Sequence, residues 1–378
     1  MRNRFFLTVA MTLLSTSTMT LAASKSDFLM YVGTYTGKGS DGIYVYRFDA
    51  KTGTVKPIGL AAKADNPSFL AISPDEKSLY SVSEVGRGAV VSAFDIDAQS
   101  GMLKLRNAVA DPGSGPCFVG VDHTGKVVVI ANYGSGSVAS YQVGADGKLS
   151  PAVSMIQHKG SSADPARQKG PHAHSINVSP DNRFAIAADL GLDELLVYKL
   201  DAASGQLTPN DPPFTKVTPG DGPRHFTFHP NKRFAYVIAE MHNTVTALNW
   251  DAAKGTLTPI ESVSTLPPDF KGASDTAEVQ VHQNGKWLYG SNRGHDSIAV
   301  FDIDQKTGKL KLVQNAPTGG SHPRNFRMDP TGNWLIAANM NGNSMKVFKI
   351  DQTTGQLTAS GDMLKLTSPV CIKFIPAK

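Results

Sequence analysis

Four ionisable side chains recur at related spacings and could together perform acid–base chemistry: His174, Arg224, Glu240 and Arg293. Histidine titrates near neutrality and can take up and return a proton. Two arginines can bind an oxyanion, a carboxylate or a phosphate through paired N–H donors. A glutamate between two arginines has a lowered pKa, which weakens it as a base. We therefore expect His174 to act as general base or acid and Glu240 to orient its neighbours.

The spacing of these residues matches a repeat that runs along the chain. His174 and Arg224 are 50 residues apart, and Glu240 and Arg293 are 53 apart. A tetrad of the form x-Gly-x-(Leu/Val), usually preceded by Asp, Ser or Thr, occurs seven times, at Gly53, Gly101, Gly147, Gly205, Gly255, Gly308 and Gly355. The gaps between these glycines are 48, 46, 58, 50, 53 and 47 residues. A period of this size with no helical unit indicates a β-propeller, here with seven blades.

Strand signals inside each repeat support four-stranded blades. A repeat opens with a proline or a residue in its place, and a turn follows seven positions later, as from Pro67 to Pro74 and from Pro223 to Pro230. β-Branched and aromatic residues lie between these turns. The chain ends are complementary, because 368–375 matches an inner strand alone and 28–58 matches the other three. The sequence thus predicts an all-β, seven-bladed propeller whose last blade is closed by N- and C-terminal strands.

In such a fold, the start of each first strand and the end of each second strand gather at one mouth of the ring. The starting positions are Ser68, Cys117, His174, Arg224, Ala277, Arg324 and Val370. The ending positions are Glu84, Tyr133, Leu190, Glu240, Arg293 and Met340. Arg224 and Glu240 then lie on adjacent strands, about 5 Å apart. We expect substrate-binding roles for His172, Arg324, Glu84 and Tyr133 at the same edge.

Each member of this constellation also has a purely structural interpretation. Arg224 and Glu240 could form an ion pair that links two strands. His174 could hydrogen-bond the 188–193 loop, and Arg293 could pair with Asp296. The convergence of all four on one edge of the sheet favours a functional site.

The first residues predict a separate segment, 1–23. Arg2 and Arg4 precede an apolar stretch, 5–14, and small residues follow up to Ala22 and Ala23. This order is typical of a secretory signal peptide, and the apolar part is too short to span a bilayer. We expect cleavage near Ala22 or Ala23 to release a single domain, 24–378, that is periplasmic or secreted and has no membrane contact. An unprocessed strand or anchor is the alternative.

Charge and cysteine content exclude several other classes. The formal net charge is +5, and it falls to +3 without Arg2 and Arg4, which is too small and dispersed for nucleic-acid binding. Cys117 and Cys371 fall in blades that are not neighbours, so we expect two buried thiols rather than a disulfide. No Cys/His cluster suggests a metal site, and we expect no cofactor. The oligomeric state is open.

Several motifs resemble those of a known family. They are Tyr31-Val32-Gly33-Thr34-Tyr35-Thr36, Pro171-His172-Ala173-His174-Ser175, Gly222-Pro223-Arg224-His225-Phe226, Ala239-Glu240, Ser291-Asn292-Arg293-Gly294-His295-Asp296-Ser297-Ile298 and Pro323-Arg324. Over its mature length the chain resembles the seven-bladed propeller lactonases, 6-phosphogluconolactonase-like proteins that also include a fungal carboxymuconate-lactonising enzyme. The resemblance implies a catalytic set at His174, Arg224, Glu240 and Arg293.

The resemblance also implies a reaction, the hydrolysis of a small-molecule sugar lactone. Water adds to the ester carbonyl, which needs a base for the water, donors for the oxyanion and an acid for the leaving oxygen. The family's sugar-phosphate hydrolases are cytoplasmic, whereas the first residues of this chain predict export, so we expect an aldonolactone or a similar small lactone outside the cytoplasm. A 6-phosphorylated lactone is the alternative if the chain is not exported. A lactonising cyclase, or a non-enzymatic propeller that binds a ligand or protein partner at its mouth, is the alternative.

Overall fold

The computed structural model describes residues 26–37 and 39–378, and the predicted signal segment lies outside them. The described chain forms 28 strands in seven antiparallel sheets of four. This arrangement confirms the predicted seven-bladed propeller. Within the described residues, no helix is long and apolar enough to cross a membrane.

Blades 1 to 6 each follow the chain from the inner strand outwards. Blade 1 contains β4 (Leu70–Ile72), β5 (Ser78–Val82), β6 (Val90–Ile96) and β7 (Leu103–Ala110). Blade 2 contains β8 (Pro116–Val121), β9 (Val127–Asn132), β10 (Ser137–Val143) and β11 (Leu149–Gln157). Blade 3 contains β12 (Ala173–Val178), β13 (Phe184–Asp189), β14 (Glu194–Leu200) and β15 (Leu207–Lys216).

The next three blades repeat this order. Blade 4 contains β16 (Pro223–Phe228), β17 (Phe234–Ala239), β18 (Thr244–Asp251) and β19 (Thr256–Ser264). Blade 5 contains β20 (Asp275–Val281), β21 (Trp287–Arg293), β22 (Ser297–Ile303) and β23 (Leu310–Pro317). Blade 6 contains β24 (Pro323–Met328), β25 (Trp334–Asn339), β26 (Ser344–Ile350) and β27 (Leu357–Lys365).

Blade 7 joins the two ends of the chain. Its inner strand is β28 (Pro369–Pro376), followed outwards by β1 (Asp27–Thr34), β2 (Gly42–Asp49) and β3 (Thr54–Lys63). Tyr31 is paired with Lys373 and Val32 with Ile372. The inner strands contact one another in sequence from β28 through β4 and round to β24, which contacts β28 again. The predicted closure of the ring by both termini is therefore confirmed.

The seven tetrad glycines lie in the turns between third and fourth strands, with φ between +67° and +79°. Neighbouring blades explain why the turn recurs. A Cβ at Gly308 would lie 2.7 Å from the ring of Phe234 in the preceding blade. Tyr236, in the same strand as Phe234, donates a hydrogen bond of 3.0 Å to the Gly308 carbonyl. The glycine repeat thus reflects blade-to-blade packing as well as turn conformation.

A β-bulge recurs at the start of the inner strands. In blade 4, Pro223 pairs with Ala239 and His225 pairs with Ile238, which leaves Arg224 between two paired positions. The same shift isolates Cys117, His174 and Arg324 in blades 2, 3 and 6. A bulge re-aims a side chain and ends the regular alternation of the strand. These four of the starting positions identified in the sequence are therefore bulged residues at the mouth.

Candidate active site

Glu240 lies at the mouth and is the shared partner of a cluster of charged side chains. It follows β17, is 6% exposed, and its carboxylate is ion-paired with three arginines. Its Oε2 lies 2.8 Å from Arg224 Nε and 3.0 Å from Arg293 Nη2. Its Oε1 lies 2.7 Å from Arg167 Nη2. The structure therefore brings together the predicted Arg224, Glu240 and Arg293, and it adds a third arginine from a loop.

The electrostatics of this cluster keep Glu240 ionised. Burial alone would raise the pKa of Glu240, but the positive charges of Arg293, Arg224 and Arg167 outweigh it and hold that pKa well below its usual range. Burial, together with repulsion from Arg224, lowers the pKa of Arg293 to about 10. At neutral pH the cluster thus holds one carboxylate and three guanidinium ions, and Glu240 is a poor proton acceptor.

Backbone carbonyls fix the two buried arginines. Arg224 Nη1 donates to the Ala277 carbonyl at 2.8 Å, and Arg293 donates through Nε and Nη2 to the Thr276 carbonyl at 3.1 and 2.6 Å. A guanidinium carries five N–H donors. Arg224 Nη2 and Arg293 Nη1 keep donors with no acceptor among the residues that the structure describes. These donors are preorganised to bind an oxygen of a ligand.

His174 lies beside the cluster and is 4% exposed. Its ring centroid is 5.4 Å from that of Tyr133, and its Nδ1 is 3.6 Å from Cys117 Sγ. Burial, with the charges of Arg224 and Arg324 nearby, lowers the pKa of His174 well below its ordinary value. The imidazole is therefore neutral at physiological pH and has an unprotonated nitrogen available.

The three purely structural interpretations of these residues agree with the structure to different extents. Arg224 and Glu240 do form an ion pair, as one alternative predicted, but Glu240 shares it with two further arginines. Asp296 accepts hydrogen bonds from the backbone N–H groups of Gly294 and His322 at 3.0 and 2.7 Å, while Arg293 binds Glu240. Among the described side chains, His174 makes no hydrogen bond to the 188–193 loop.

Arg324 and Glu84 form a second cluster at the mouth, with Tyr35. The Tyr35 hydroxyl donates to Glu84 Oε2 at 2.8 Å, and the Arg324 guanidinium lies 5.5 Å from the centroid of the Tyr35 ring. Arg324 Nη2 is 3.9 Å from Glu84 Oε1. Tyr35 belongs to one of the motifs noted in the sequence, although its motif alone indicated no role.

His172 and Tyr133 pack together at the edge of the first cluster. Their rings stack with centroids 4.6 Å apart, and His172 Nδ1 is 2.9 Å from the Tyr133 carbonyl oxygen. The Tyr133 hydroxyl accepts a hydrogen bond of 3.2 Å from Arg167. All eight residues selected from the sequence thus lie at the same mouth, where Arg167 links Tyr133 to Glu240.

Sequence reasoning missed Arg167 and His322. Arg167 lies in the connection between β11 and β12, which Ser162 anchors through a 2.6 Å hydrogen bond to Asp193. The 58-residue gap between Gly147 and Gly205, the longest of the six, marks this insertion and could have drawn attention to it. His322 precedes β24, and burial with the charges of Arg293, Arg324 and Arg224 lowers its pKa to about 4.

Comparison with known proteins is consistent with this fold. Residues 29–374 match the family model described as "Lactonase, 7-bladed beta-propeller". A 6-phosphogluconolactonase of Bacillus subtilis is 38% identical over 348 residues, which are 92% of this chain and 98% of that protein. The solved structure of a periplasmic gluconolactonase of Pseudomonas aeruginosa has a TM-score of 0.89 at 33% identity, covering 93% of this chain and 100% of that one. A putative 6-phosphogluconolactonase of Bacteroides fragilis has a TM-score of 0.88 at 37% identity, covering 94% and 99%.

Proposed function

The chain belongs to the seven-bladed β-propeller lactonase family and is a lactonase, and we propose that it hydrolyses an unphosphorylated sugar lactone at the mouth around Glu240. The observation that carries this assignment of the site is a buried carboxylate held by three arginines beside a neutral histidine. Lactone hydrolysis needs a base for water and cationic donors for the oxyanion. The mouth supplies both within one cluster.

In the proposed first step, His174 removes a proton from water while the water oxygen attacks the lactone carbonyl carbon. Burial raises the pKa of the Cys117 thiol, so the thiol stays protonated. The thiol sulfur lies 3.4 Å from the backbone carbonyl oxygen of His174, so the S–H can donate to that oxygen. The sulfur can then accept a hydrogen bond from Nδ1–H of the His174 ring. That tautomer makes Nε2 of His174 the proton acceptor.

Arg224 and Arg293 stabilise the oxyanion that forms at the carbonyl oxygen through their remaining N–H groups. Glu240 fixes both guanidinium groups and does not exchange protons. In the second step the bond between the carbonyl carbon and the ring oxygen breaks, and the imidazolium of His174 returns its proton to that oxygen. The product is an open-chain hydroxy acid, and the histidine is neutral again.

A location outside the cytoplasm supports an unphosphorylated substrate. We propose this location from the order of residue types in 1–23, and the name of the periplasmic Pseudomonas aeruginosa relative matches it.

The substrate assignment is tested by acid release from glucono-1,5-lactone and from its 6-phosphorylated form, each corrected for spontaneous opening. We expect a higher kcat/KM for the unphosphorylated lactone, and Arg224→Ala should depress that value. A higher kcat/KM for the phosphorylated lactone would overturn the substrate proposal. Activity unaffected by Arg224→Ala would overturn the site.

A further inference from the structure

The propeller channel has a second polar cavity at the end opposite the mouth. This lower cavity has a volume of about 370 Å³ and is lined by the later residues of the inner strands. Phe69 and Phe118 stack with ring centroids 4.4 Å apart, and His225 packs edge-on against each at 5.5 Å. Phe69, Phe118 and His225 line the lower cavity, whereas His174 does not, and its ring centroid lies 5.3 Å from that of His225.

Two cations line the lower cavity and form no salt bridge among the described residues. Lys373 and Arg327 both border it, from β28 and β24. Neither forms a salt bridge within 4 Å or a side-chain hydrogen bond with any residue in 26–37 or 39–378. Burial and the charge of Arg327 lower the pKa of Lys373, while the charge of Glu278 acts in the opposite direction. Lys373 Nζ lies 4.7 Å over the Phe69 ring, which stabilises a cation but supplies no negative charge.

The carboxylate of Glu278, in the cavity wall, is hydrogen-bonded to other groups. Glu278 Oε2 accepts a hydrogen bond from Asn325 Nδ2 and lies 3.3 Å from His225 Nδ1. Its Oε1 accepts from the backbone N–H of Val279 at 3.1 Å. These contacts hold the Glu278 carboxylate in the wall. Its charge acts on Lys373 from a distance, but it forms no salt bridge with Lys373 or Arg327.

We propose that the lower cavity binds a small oxyanion, a carboxylate or a phosphate, between Lys373 and Arg327. Two cations facing one cavity are the arrangement that an oxyanion satisfies through charge-assisted hydrogen bonds. The volume falls within the range of ordinary small-molecule sites, and Thr227 and Gln280 add polar groups to the wall. This site is separate from the mouth and does not depend on the proposed reaction.

Calorimetric titration tests the site with two probes, sodium gluconate for a carboxylate and sodium phosphate for a phosphate. We expect at least one probe to bind, and Lys373→Met and Arg327→Met to weaken that binding tenfold or more. Lys349→Met, which removes an exposed lysine from β26, is the matched control and should bind like the parent. The oxyanion class is identified by whether gluconate, phosphate or both bind to the parent protein.

Two results would overturn the proposal: neither probe binds the parent protein, or both variants bind as the parent does. A methionine at position 373 can still pack on the Phe69 ring. Thermal melting shows whether each variant folds. If Lys373→Met does not fold, the exposed Arg327 supplies the decisive variant. Lactonase kcat/KM should stay within twofold of the parent in both variants, so failure of this site is distinguishable from failure of the mouth.

Discussion

Glu240 and Arg167 are 73 residues apart in the chain, yet Oε1 of one lies 2.7 Å from Nη2 of the other. Arg167 comes from the connection between blades 2 and 3, whereas Glu240 follows β17 of blade 4. The contact brings a partly exposed side chain, 39% accessible, against a buried carboxylate. A loop outside the repeat therefore completes a site that the repeat begins.

Arg167→Ala should lower kcat/KM for the lactone by about tenfold or more, because one charge-assisted hydrogen bond to Glu240 is lost. Since Arg224 and Arg293 still hold the carboxylate, the loss should be smaller than for either of those arginines. Steady-state kinetics measures this, with the exposed Arg183→Ala as control. An Arg167→Ala enzyme as impaired as Arg224→Ala would place Arg167 among the groups that contact substrate.

Arg224→Ala and Arg293→Ala should each lower kcat/KM by about a hundredfold, the effect of removing an oxyanion donor. We expect the loss mainly in kcat, because the interaction strengthens as negative charge develops on the carbonyl oxygen. Circular dichroism should show the same fold in both variants. A rise in KM at constant kcat would instead indicate uniform binding of substrate.

His174→Ala should lower kcat/KM by about a hundredfold or more, the typical contribution of a general base. An ordinary histidine predicts a pH dependence near neutrality, but burial and the neighbouring arginines lower the pKa of His174 well below that range. The parent rate should therefore be constant around neutrality and fall in acid, as the imidazole becomes protonated. A pH–rate profile of the parent that falls at pH 7 would contradict this assignment.

Glu240→Gln should impair catalysis less than His174→Ala, since the amide keeps the shape while it loses the charge. The folded state should become less stable at neutral pH, because three arginines lose their counter-ion. The folded pKa of Glu240 is depressed, so its contribution is fully present above the unfolded value of about 4.5 and is lost as pH falls towards the folded value. Denaturant unfolding at several pH values should show the difference between parent and variant shrinking in acid.

An exposed glutamate replaced in the same way, Glu76→Gln, is the control for that series. If Glu240→Gln is less active than His174→Ala, the two residues exchange roles and Glu240 becomes the base. If the parent and Glu240→Gln are equally stable at neutral pH, the attraction in the three ion pairs only balances the cost of burying their charges. The ion pairs would then make no net contribution to the free energy of unfolding.

Much of this site could be predicted from sequence because propeller blades repeat residue types as well as lengths. Pro223 matches Pro323, and Glu240 matches Arg293, when the repeats are aligned. This alignment alone predicts that side chains from different blades lie at one mouth. The pairing of the C-terminal inner strand with the N-terminal strand followed in the same way from two incomplete repeats, and the structure adds its register, Tyr31 opposite Lys373.

The remaining features have no periodic signal. Arg167 lies in an insertion that no other blade shares, so alignment of repeats could not place it. A bulge shifts the strand pairing by one residue, and the one-dimensional pattern around Arg224 looks the same with or without it. The low pKa of His174 depends on how closely charges from different blades approach, and register alone does not fix that.

The bulged residues have one more consequence, for how this scaffold can change its chemistry. Because Arg224 contributes no rung to the strand ladder, another side chain could occupy its position without altering the pairing of Pro223 or His225. Val370 in blade 7 occupies the same kind of position, between Pro369 and Cys371. At these bulged positions the side chain can therefore change while the strand pairing stays the same, and the chemistry of the mouth could be altered one residue at a time.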